Sequence, residues 1–217
     1  MQYIQIILIV LFILFAIYIL FPKKYLKLYN IHKHYPQQYY VSIDTAKYPK
    51  EYSTTYGEIE YKGLEIIYDE VKQLNVSTNQ FIDLGSGTGR ILHYAIIAGF
   101  DNAIGVELAE ERHKYSQDVL NKVDPDTQKR IKIFNEDLFN IPKEFYTSCR
   151  VVLISNLLYS KETNQKLFDY LDKNLQSGTI VLVCIVPDDT KSIKKIKNIK
   201  IPVSWTQSSN LYIYQKE

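Results

Sequence analysis

The chain has 217 residues, of which 46% are hydrophobic and 23% are charged, and this balance excludes an intrinsically disordered protein. The formal net charge of +2 excludes a surface that is basic throughout, so the sequence carries no strong nucleic-acid signal. Cys149 and Cys184 show no metal-ligand spacing, and His32 and His34 make a poor zinc site without a nearby cysteine. We therefore predict reduced cysteines and no metal site.

The N-terminus begins with a long apolar run. Residues 6–21 are sixteen apolar residues without interruption, and Ile4 extends the run to eighteen with only Gln5 inside. This is near the lower limit for a bilayer-spanning helix, and the alternative, a buried core helix, is not normally apolar on every face. The sequence lacks the basic start and small-residue cleavage site of a signal peptide. We predict a single-pass membrane anchor at residues 1–22, inserted through residues 4–21. Lysines follow the span and none precedes it, so we expect the remaining chain on the cytosolic side.

Residues 23–55 contain two prolines and many tyrosines without a clear period, which indicates a linker that becomes an ordered lead-in. An amphipathic helix follows, because apolar residues recur on one face between Leu64 and Leu74. From Phe81 onward, short apolar runs alternate with helical patterns. We predict strands at 81–84, 103–106, 131–134, 151–154 and 180–186, helices at 88–98, 109–123 and 163–175, and a closing hairpin from 201–206 and 211–214.

This alternation predicts the fold class. Strands that alternate with helices favour an α/β domain with a doubly wound, mostly parallel seven-stranded sheet of the Rossmann-like type and an antiparallel edge. We expect this domain to occupy residues 56–217, behind the N-terminal transmembrane helix. Residues 191–200 hold five lysines, for which we predict a solvated loop; a patch for an acidic partner is the alternative.

A glycine-rich turn follows the first strand of this domain. Asp83 ends the strand, and three glycines at alternate positions then lead into a helix. The turn lacks the lysine of a phosphate P-loop and the spacing of a dinucleotide fingerprint, and Asp83 would repel a pyrophosphate. Glu107 ends the second strand, where the ribose-binding acid of such folds belongs. Two acids beside such a turn suit S-adenosylmethionine, which has a sulfonium, an ammonium and ribose hydroxyls. A turn without a ligand is the alternative.

Polar residues also follow the third and fourth strands. Because ligands of open α/β sheets bind beyond the carboxyl ends of the strands, these residues are candidates for the same site. Asp137 can accept the adenine amino proton while Leu138 covers the ring; the alternative is a solvated loop acid. Ser155 and Asn156 end the fourth strand, and they can instead cap the next element.

From about residue 56 to residue 214, the chain resembles the DOT1-like histone methyltransferases. Six segments carry the resemblance: Y-G-E at 56–58, D-L-G-S-G-x-G at 83–89, G-V-E at 105–107, E-D-L at 136–138 where the family has G-D-F, the stretch 156–167, and V-S-W-T at 203–206 followed by Tyr212. Arg90 stands where the family has Gln, and Ser155 replaces the first Asn of the family's Asn-Asn pair. The Y-G-E and V-S-W-T segments together are the most specific of these features.

The resemblance implies an S-adenosylmethionine-dependent protein-lysine N-methyltransferase. It implies cofactor contacts from Tyr56, Gly57, Glu58, Asp83, Gly85, Ser86, Gly87, Gly89, Arg90, Glu107, Asp137 and Leu138. It implies an acceptor channel with catalytic roles for Ser155, Asn156, Trp205 and Tyr212, in which aromatic walls lower the pKa of the lysine ammonium. The expected partner is a protein substrate, a histone being one candidate, and we expect a monomer.

A second resemblance leaves the substrate open. Membrane-anchored lysine methyltransferases of the ATP synthase c-subunit type are similar to this chain in their N-terminal span and in a turn that includes Arg90. They are less similar at residues 156–167 and 203–206. A methyltransferase for a small molecule or lipid, and a cofactor-binding module without activity, are the remaining alternatives.

Overall fold

The computed structural model describes residues 6–7, 10–11, 23–35, 41–48 and 57–217. The chain divides into two compact units, residues 1–37 and residues 38–217. Most of the predicted membrane anchor, residues 4–21, lies outside the described residues, as does Tyr56. The four anchor residues that are described are helical. Among all residues that the structure describes, no helix is both long and apolar enough to cross a membrane.

The first unit contains helix α1, Lys23–His34. Leu28 and Ile31 on this helix are buried, as is Tyr35 just beyond it, and their spacing of three and four residues puts them on one side. The sequence predicted an ordered lead-in here but did not indicate a helix, because so few apolar positions among charged ones do not stand out as a period.

The second unit is built on a seven-stranded sheet. Its strands are β1 Gln80–Leu84, β2 Asn102–Glu107, β3 Ile131–Asn135, β4 Val151–Ile154, β5 Ile180–Val183, β6 Ile193–Val203 and β7 Thr206–Lys216. They lie in the order β3-β2-β1-β4-β5-β7-β6. The first five strands are parallel, and β7 runs antiparallel to both of its neighbours. The predicted mostly parallel sheet with an antiparallel edge is therefore confirmed.

Helices follow most of the parallel strands. They are α2 Tyr61–Gln73, α3 Arg90–Ala98, α4 Glu110–Leu120, α5 Pro125–Arg130, α6 Glu144–Ser148 and α7 Lys161–Asn174. Strands β4 and β5 are buried along their whole length, which explains their unbroken apolar sequences. Leu167, Phe168 and Leu171 of α7 join the core cluster on one face of the sheet. Burial of each such side chain away from water contributes about 1.5–3 kcal/mol to the stability of the fold.

Strand β5 ends three residues earlier than the predicted range 180–186. The backbone N–H groups of Cys184 and Ile185 donate to Oδ1 of Asn156, both at 2.9 Å, instead of continuing the sheet. A distant side chain thus terminates the strand, and the apolar sequence alone gives no sign of it.

The helix predicted at 109–123 corresponds to α4, and a second, short helix follows it. Helix α4 ends at Leu120, and α5 begins after Asp124, whose carboxylate accepts a hydrogen bond from the Thr127 N–H at 3.1 Å. Pro125 at the first turn of α5 suits a helix start, because its missing N–H would have no partner there.

The lysine-rich residues 191–200 form most of edge strand β6 rather than a loop. Lys197 makes an ion pair with Glu70 of α2, and the ammonium of Lys195 lies 4.7 Å from the centre of the Tyr212 ring on β7. The hairpin of β6 and β7 is longer than predicted, with eleven residues in each strand. Lysine has a low strand propensity, so pairing with β7 decides the conformation here.

Candidate active site

The glycine-rich turn joins β1 to α3. Gly85 and Gly89 have φ angles of 90° and 78°, in the left-handed region that favours glycine. The N–H groups of Gly85 and Ser86 donate to the Val106 carbonyl at 2.8 and 2.9 Å, which fixes the turn against β2. The turn therefore lies at the carboxyl edge of the sheet, where ligands of such folds bind.

Glu107, at the end of β2, is held against this turn. Its two carboxylate oxygens accept hydrogen bonds from the Gly87 and Ala109 N–H groups, each at 2.8 Å. Burial raises the pKa of Glu107, while these N–H groups and the nearby Arg112 oppose that rise. The structure thus brings together the glycine-rich turn and Glu107, the two features from which the sequence predicted a cofactor site.

Asp83 is almost completely buried at the end of β1. Neither carboxyl oxygen has a hydrogen-bond partner among the described residues. Burial, followed by the charges of Glu107 and Glu58, raises the pKa of Asp83 to about 8. A buried acid without a partner is costly, so it favours a ligand that brings a positive charge or a hydrogen-bond donor.

Glu58 approaches the turn from the segment before α2. Its carboxylate forms an ion pair with the Arg90 guanidinium at 2.9 Å and accepts a hydrogen bond from the Thr88 hydroxyl at 3.0 Å. Burial raises the pKa of Glu58, and the Arg90 charge opposes this shift. Together with Asp83 and Glu107, Glu58 places three carboxyl groups around the turn.

The Y-G-E and V-S-W-T segments, widely separated in sequence, are joined in the fold. The Glu58 N–H donates to the Ser204 hydroxyl at 3.1 Å, and the Ser204 N–H donates to the Glu58 carbonyl at 2.8 Å. Any Cβ at position 57 would overlap the Trp205 ring, so the Gly57 backbone packs directly against that ring. The pair of segments forms one wall above the turn.

A cavity of about 340 Å³ lies beside the turn. Ten of the predicted site residues line it: Gly57, Glu58, Gly85, Ser86, Gly87, Glu107, Asp137, Leu138, Ser155 and Trp205. Asp137 accepts a hydrogen bond from the Phe139 N–H at 2.9 Å, which fixes its position next to the buried Leu138. The cavity therefore contacts residues from four neighbouring strand ends and from both joined segments.

Asn156 and Tyr212 do not line this cavity. Asn156 is buried, and its side-chain NH₂ donates to the Asn164 carbonyl oxygen at 2.7 Å and to the Ile185 carbonyl at 3.1 Å, in addition to the two bonds that end β5. Its hydrogen bonds thus connect the end of β4 to β5 and α7. Tyr212 is paired with Val183 of β5 and lies against the Lys195 ammonium.

Three further predicted residues lie behind the cavity. Arg90 contacts Glu58, Gly89 packs near Ser116 of α4, and Asp83 lies under the turn. Arg90 and Gly89 therefore influence the cavity through a neighbour, whereas Asp83 acts on it through its charge.

Several cavity residues were missed by the sequence reasoning. Ile43 and Tyr48 come from the predicted linker, Arg112 from α4, and Cys184 from the end of β5; Leu157, Leu158 and Tyr159 follow β4. The last three had a usable signal, because the loop after a central parallel strand lies at the ligand-binding edge.

Tyr48 reaches the cavity through contacts that lie far apart in sequence. Its hydroxyl donates to Glu111 at 2.7 Å and accepts a hydrogen bond from the Glu110 N–H at 3.0 Å. The bond from Tyr48, together with those from the Glu111 N–H, Lys47 and the Asp44 N–H, lowers the pKa of Glu111 to about 2. This connection attaches the 41–48 segment to the start of α4, and no local sequence pattern indicates it.

The family model described as "Histone methylation protein DOT1" matches residues 39–215. The chain belongs to the DOT1 histone methylation family. The match begins within the predicted linker, seventeen residues before the predicted domain start at residue 56, and close to the division between the two structural units. This family and this fold make the protein an S-adenosyl-L-methionine-dependent methyltransferase.

Solved structures show the same fold. The magnesium protoporphyrin IX methyltransferase ChlM from Synechocystis PCC 6803, solved with bound SAM, is 11% identical with a TM-score of 0.55, over 72% of this chain and 79% of ChlM. The mitomycin 7-O-methyltransferase MmcR is 9% identical with a TM-score of 0.55, over 72% of this chain and 54% of MmcR. Identities this low establish the shared architecture only.

Proposed function

We propose that this protein transfers a methyl group from S-adenosyl-L-methionine to the amine of a lysine side chain in a protein. The observation that carries the proposal is the junction of Glu58 with Ser204 at the cavity mouth. It brings together the two sequence segments that are most specific to the family, with the Trp205 ring at their centre. The DOT1 family match over residues 39–215 also supports a lysine acceptor.

The residues around the turn fit this cofactor. The buried Asp83 carboxyl has no described partner and lies near the charges of Glu58 and Glu107, so the group of three suits a positively charged ligand. Glu107 would hold the ribose hydroxyls, and Asp137 with Leu138 would hold the adenine. When bound, the cofactor supplies a methyl group on a positively charged sulfur.

The exposed side of the cavity, where Trp205 and Leu157 lie, would help to deprotonate and align the acceptor lysine. A lysine ammonium has an ordinary pKa of about 10.4 and is a nucleophile only after it loses a proton. Apolar surroundings provided by Trp205 and Leu157 would lower that pKa by removing water from the charged form. The Ser155 hydroxyl lines the cavity and can accept a hydrogen bond from the amine. Alignment in the cavity supplies much of the remaining acceleration.

The test is transfer of label from labelled cofactor to candidate proteins, histones among them, with the modified residue located by mass spectrometry. We expect label on lysine nitrogen. Trp205→Ala should reduce kcat/KM for the protein acceptor about thirtyfold while cofactor affinity changes less than about twofold, and Trp205→Phe should retain most activity. Label found only on oxygen, on nucleic acid or on a small molecule would contradict the proposal.

A second candidate acceptor is an apolar molecule, either a small compound or a lipid, or a lysine within an apolar protein segment as in the ATP synthase c-subunit. Leu157 and Leu158 favour it, because they are 40% and 53% exposed beside the cavity. Exposed leucines at a site mouth indicate a surface that binds apolar groups. Incubation with lipid extracts and with membrane proteins in detergent, under the same labelling conditions, separates these acceptors.

The cellular location is proposed from the sequence alone. We propose that residues 4–21 anchor the protein in a membrane with the catalytic domain on the cytosolic side. The full chain should then stay in the membrane fraction during alkaline carbonate extraction, and a variant without residues 1–22 should not. Release of the full chain into the soluble fraction would refute the anchor.

A further inference from the structure

Arg90 occupies the first position of α3 and lies next to the cavity without lining it. Its guanidinium pairs with the Glu58 carboxylate at 2.9 Å, and the two side chains are only 13% and 9% exposed. Loss of one partner from an ion pair with so little solvent leaves the other charge buried without its countercharge, which is strongly unfavourable. The position of Glu58 therefore depends on Arg90.

The backbone of Glu58 connects the Arg90–Glu58 ion pair to the V-S-W-T segment on the acceptor side of the cavity. Its N–H and its carbonyl both bond to Ser204, and the next residue, Ile59, forms a bridge with Val203. The Glu60 N–H then donates to the Pro202 carbonyl at 3.2 Å. The residues from 58 to 60 are thus attached at three successive positions to the end of β6 and the turn that follows it.

The Trp205 ring completes the connection, because it packs against Gly57 with no room for a Cβ. A shift of the backbone at residue 57 must therefore move the ring. The ring is 49% exposed and lines the cavity, so it has space into which to move.

We propose that Arg90 is a positioning residue that, through Glu58, sets the place of the Trp205 ring and so couples the cofactor side of the cavity to its acceptor side. The catalytic part of this inference rests on the proposed function, since it assigns Trp205 to the acceptor wall. The mechanical part does not, because the contacts from Arg90 to Trp205 are independent of the acceptor.

The protein offers a direct probe, because Trp205 is its single tryptophan. The experiment measures acrylamide quenching of tryptophan fluorescence in the full chain, with and without S-adenosylhomocysteine. We compare wild type with Arg90→Met, Arg90→Gln and Arg90→Lys. Arg150→Gln is the matched control, since Arg150 lies before β4 and contacts the Cys149 carbonyl.

We expect Arg90→Met and Arg90→Gln to change the quenching constant about twofold and to weaken its response to S-adenosylhomocysteine. Arg90→Lys should restore part of the response, because it keeps the charge but not the geometry of the guanidinium. Arg150→Gln should match wild type. Unchanged quenching in a folded Arg90→Met variant would refute the coupling whatever the acceptor is.

A double-mutant cycle tests the route through Glu58. If Arg90 acts through Glu58, then Arg90→Met combined with Glu58→Gln should reduce kcat no further than Glu58→Gln alone. We expect the single variant Arg90→Met to lose about tenfold in kcat. Additive losses would refute the proposed route. A lack of lysine transfer in every variant, wild type included, would refute the proposed function and leave the fluorescence result to decide the coupling.

Discussion

On the cofactor side of the cavity, most polar contacts come from backbone groups and acids within one stretch of the chain, from β1 to the start of α4, and Glu58 and Asp137 add to them from outside that stretch. On the acceptor side, Trp205, Ser155 and Gly57 come from three separate stretches and are held by contacts such as that between Glu58 and Ser204, 146 residues apart. The cofactor side therefore depends less on distant parts of the chain than the acceptor side does. This difference explains why a turn of this kind serves many methyltransferases while the acceptor wall distinguishes them.

The largest expected effect concerns Asp83, on the cofactor side. Asp83→Asn should weaken S-adenosylmethionine binding about a hundredfold or more, measured by calorimetry, because the cationic ligand loses a buried countercharge. The same variant should gain stability relative to wild type as the pH rises from 3.8 to about 8. The pKa of Asp83 is about 8 in the folded protein and 3.8 in the unfolded chain, so ionisation lowers the stability of wild type as pH rises between these values.

Urea denaturation at pH 5 and pH 8 checks the second half of this prediction. The stability difference in favour of Asp83→Asn should be larger at pH 8. If the variant kept its cofactor affinity, or became less stable than wild type at the higher pH, the buried charge of Asp83 would not be what the cofactor side supplies to the ligand.

Asn156 should give the next largest effect, and this effect is on stability. Asn156→Ala leaves the Cys184 and Ile185 N–H groups and the Asn164 carbonyl oxygen without their partner, which should lower the free energy of unfolding by about 3 kcal/mol. Urea denaturation measures it. Asn156→Asp should also destabilise the protein, because it keeps an acceptor for both N–H groups but places a buried carboxyl oxygen against the side-chain carbonyl of Asn164 and the Ile185 carbonyl. A fully stable Asn156→Ala variant with low kcat would instead assign Asn156 to the acceptor.

Cofactor affinity should also depend on pH. A bound cation lowers the pKa of Asp83 below about 8, so binding releases a proton and affinity rises with pH between 6 and 8, by at most about tenfold per unit. Calorimetry in two buffers of different ionisation enthalpy measures the proton release. Asp83→Asn, which has no proton to lose at this position, is the control; an equally steep dependence in that variant would assign the effect to another group.

The smallest expected effect tests the 41–48 segment. Tyr48→Phe removes the hydrogen bonds to Glu111 and from Glu110 and should cost about 1 kcal/mol of stability. Lys47→Ala removes an exposed ion pair with the same Glu111 and should cost less stability than Tyr48→Phe. Thermal denaturation compares the two variants, and an equal loss in both would mean that the Tyr48 contacts do not attach the segment.

The parallel sheet was predictable because each of its strands is a short apolar run between helical patterns. The glycine turn and its two acids were predictable for the same reason, since all of them lie near the ends of adjacent strands. Helix α1 and the early end of β5 were not, because a sparse apolar stripe and the distant Asn156 side chain decide them.

In the candidate site, too, features set by local sequence were predictable and features set by distant contacts were not. Glu107 lies against the turn, where the sequence expected it, whereas Tyr48 reaches the cavity through a hydrogen bond across 63 residues. Tyr212 was expected in the channel from the resemblance, but its ring lies against Lys195 outside the cavity lining. A local motif fixes a backbone turn, while the direction of a side chain on β7 depends on pairing that no motif encodes.

Edge strand β6 has a consequence for how the protein behaves at high concentration. The outermost strand of a sheet exposes backbone groups that can pair with a strand from another molecule. Lys194, Lys195 and Lys200 are exposed along this strand, and bringing two such strands together would bury lysine ammonium groups of like charge. The same residues that gave a misleading loop signal therefore protect the sheet from edge-to-edge aggregation.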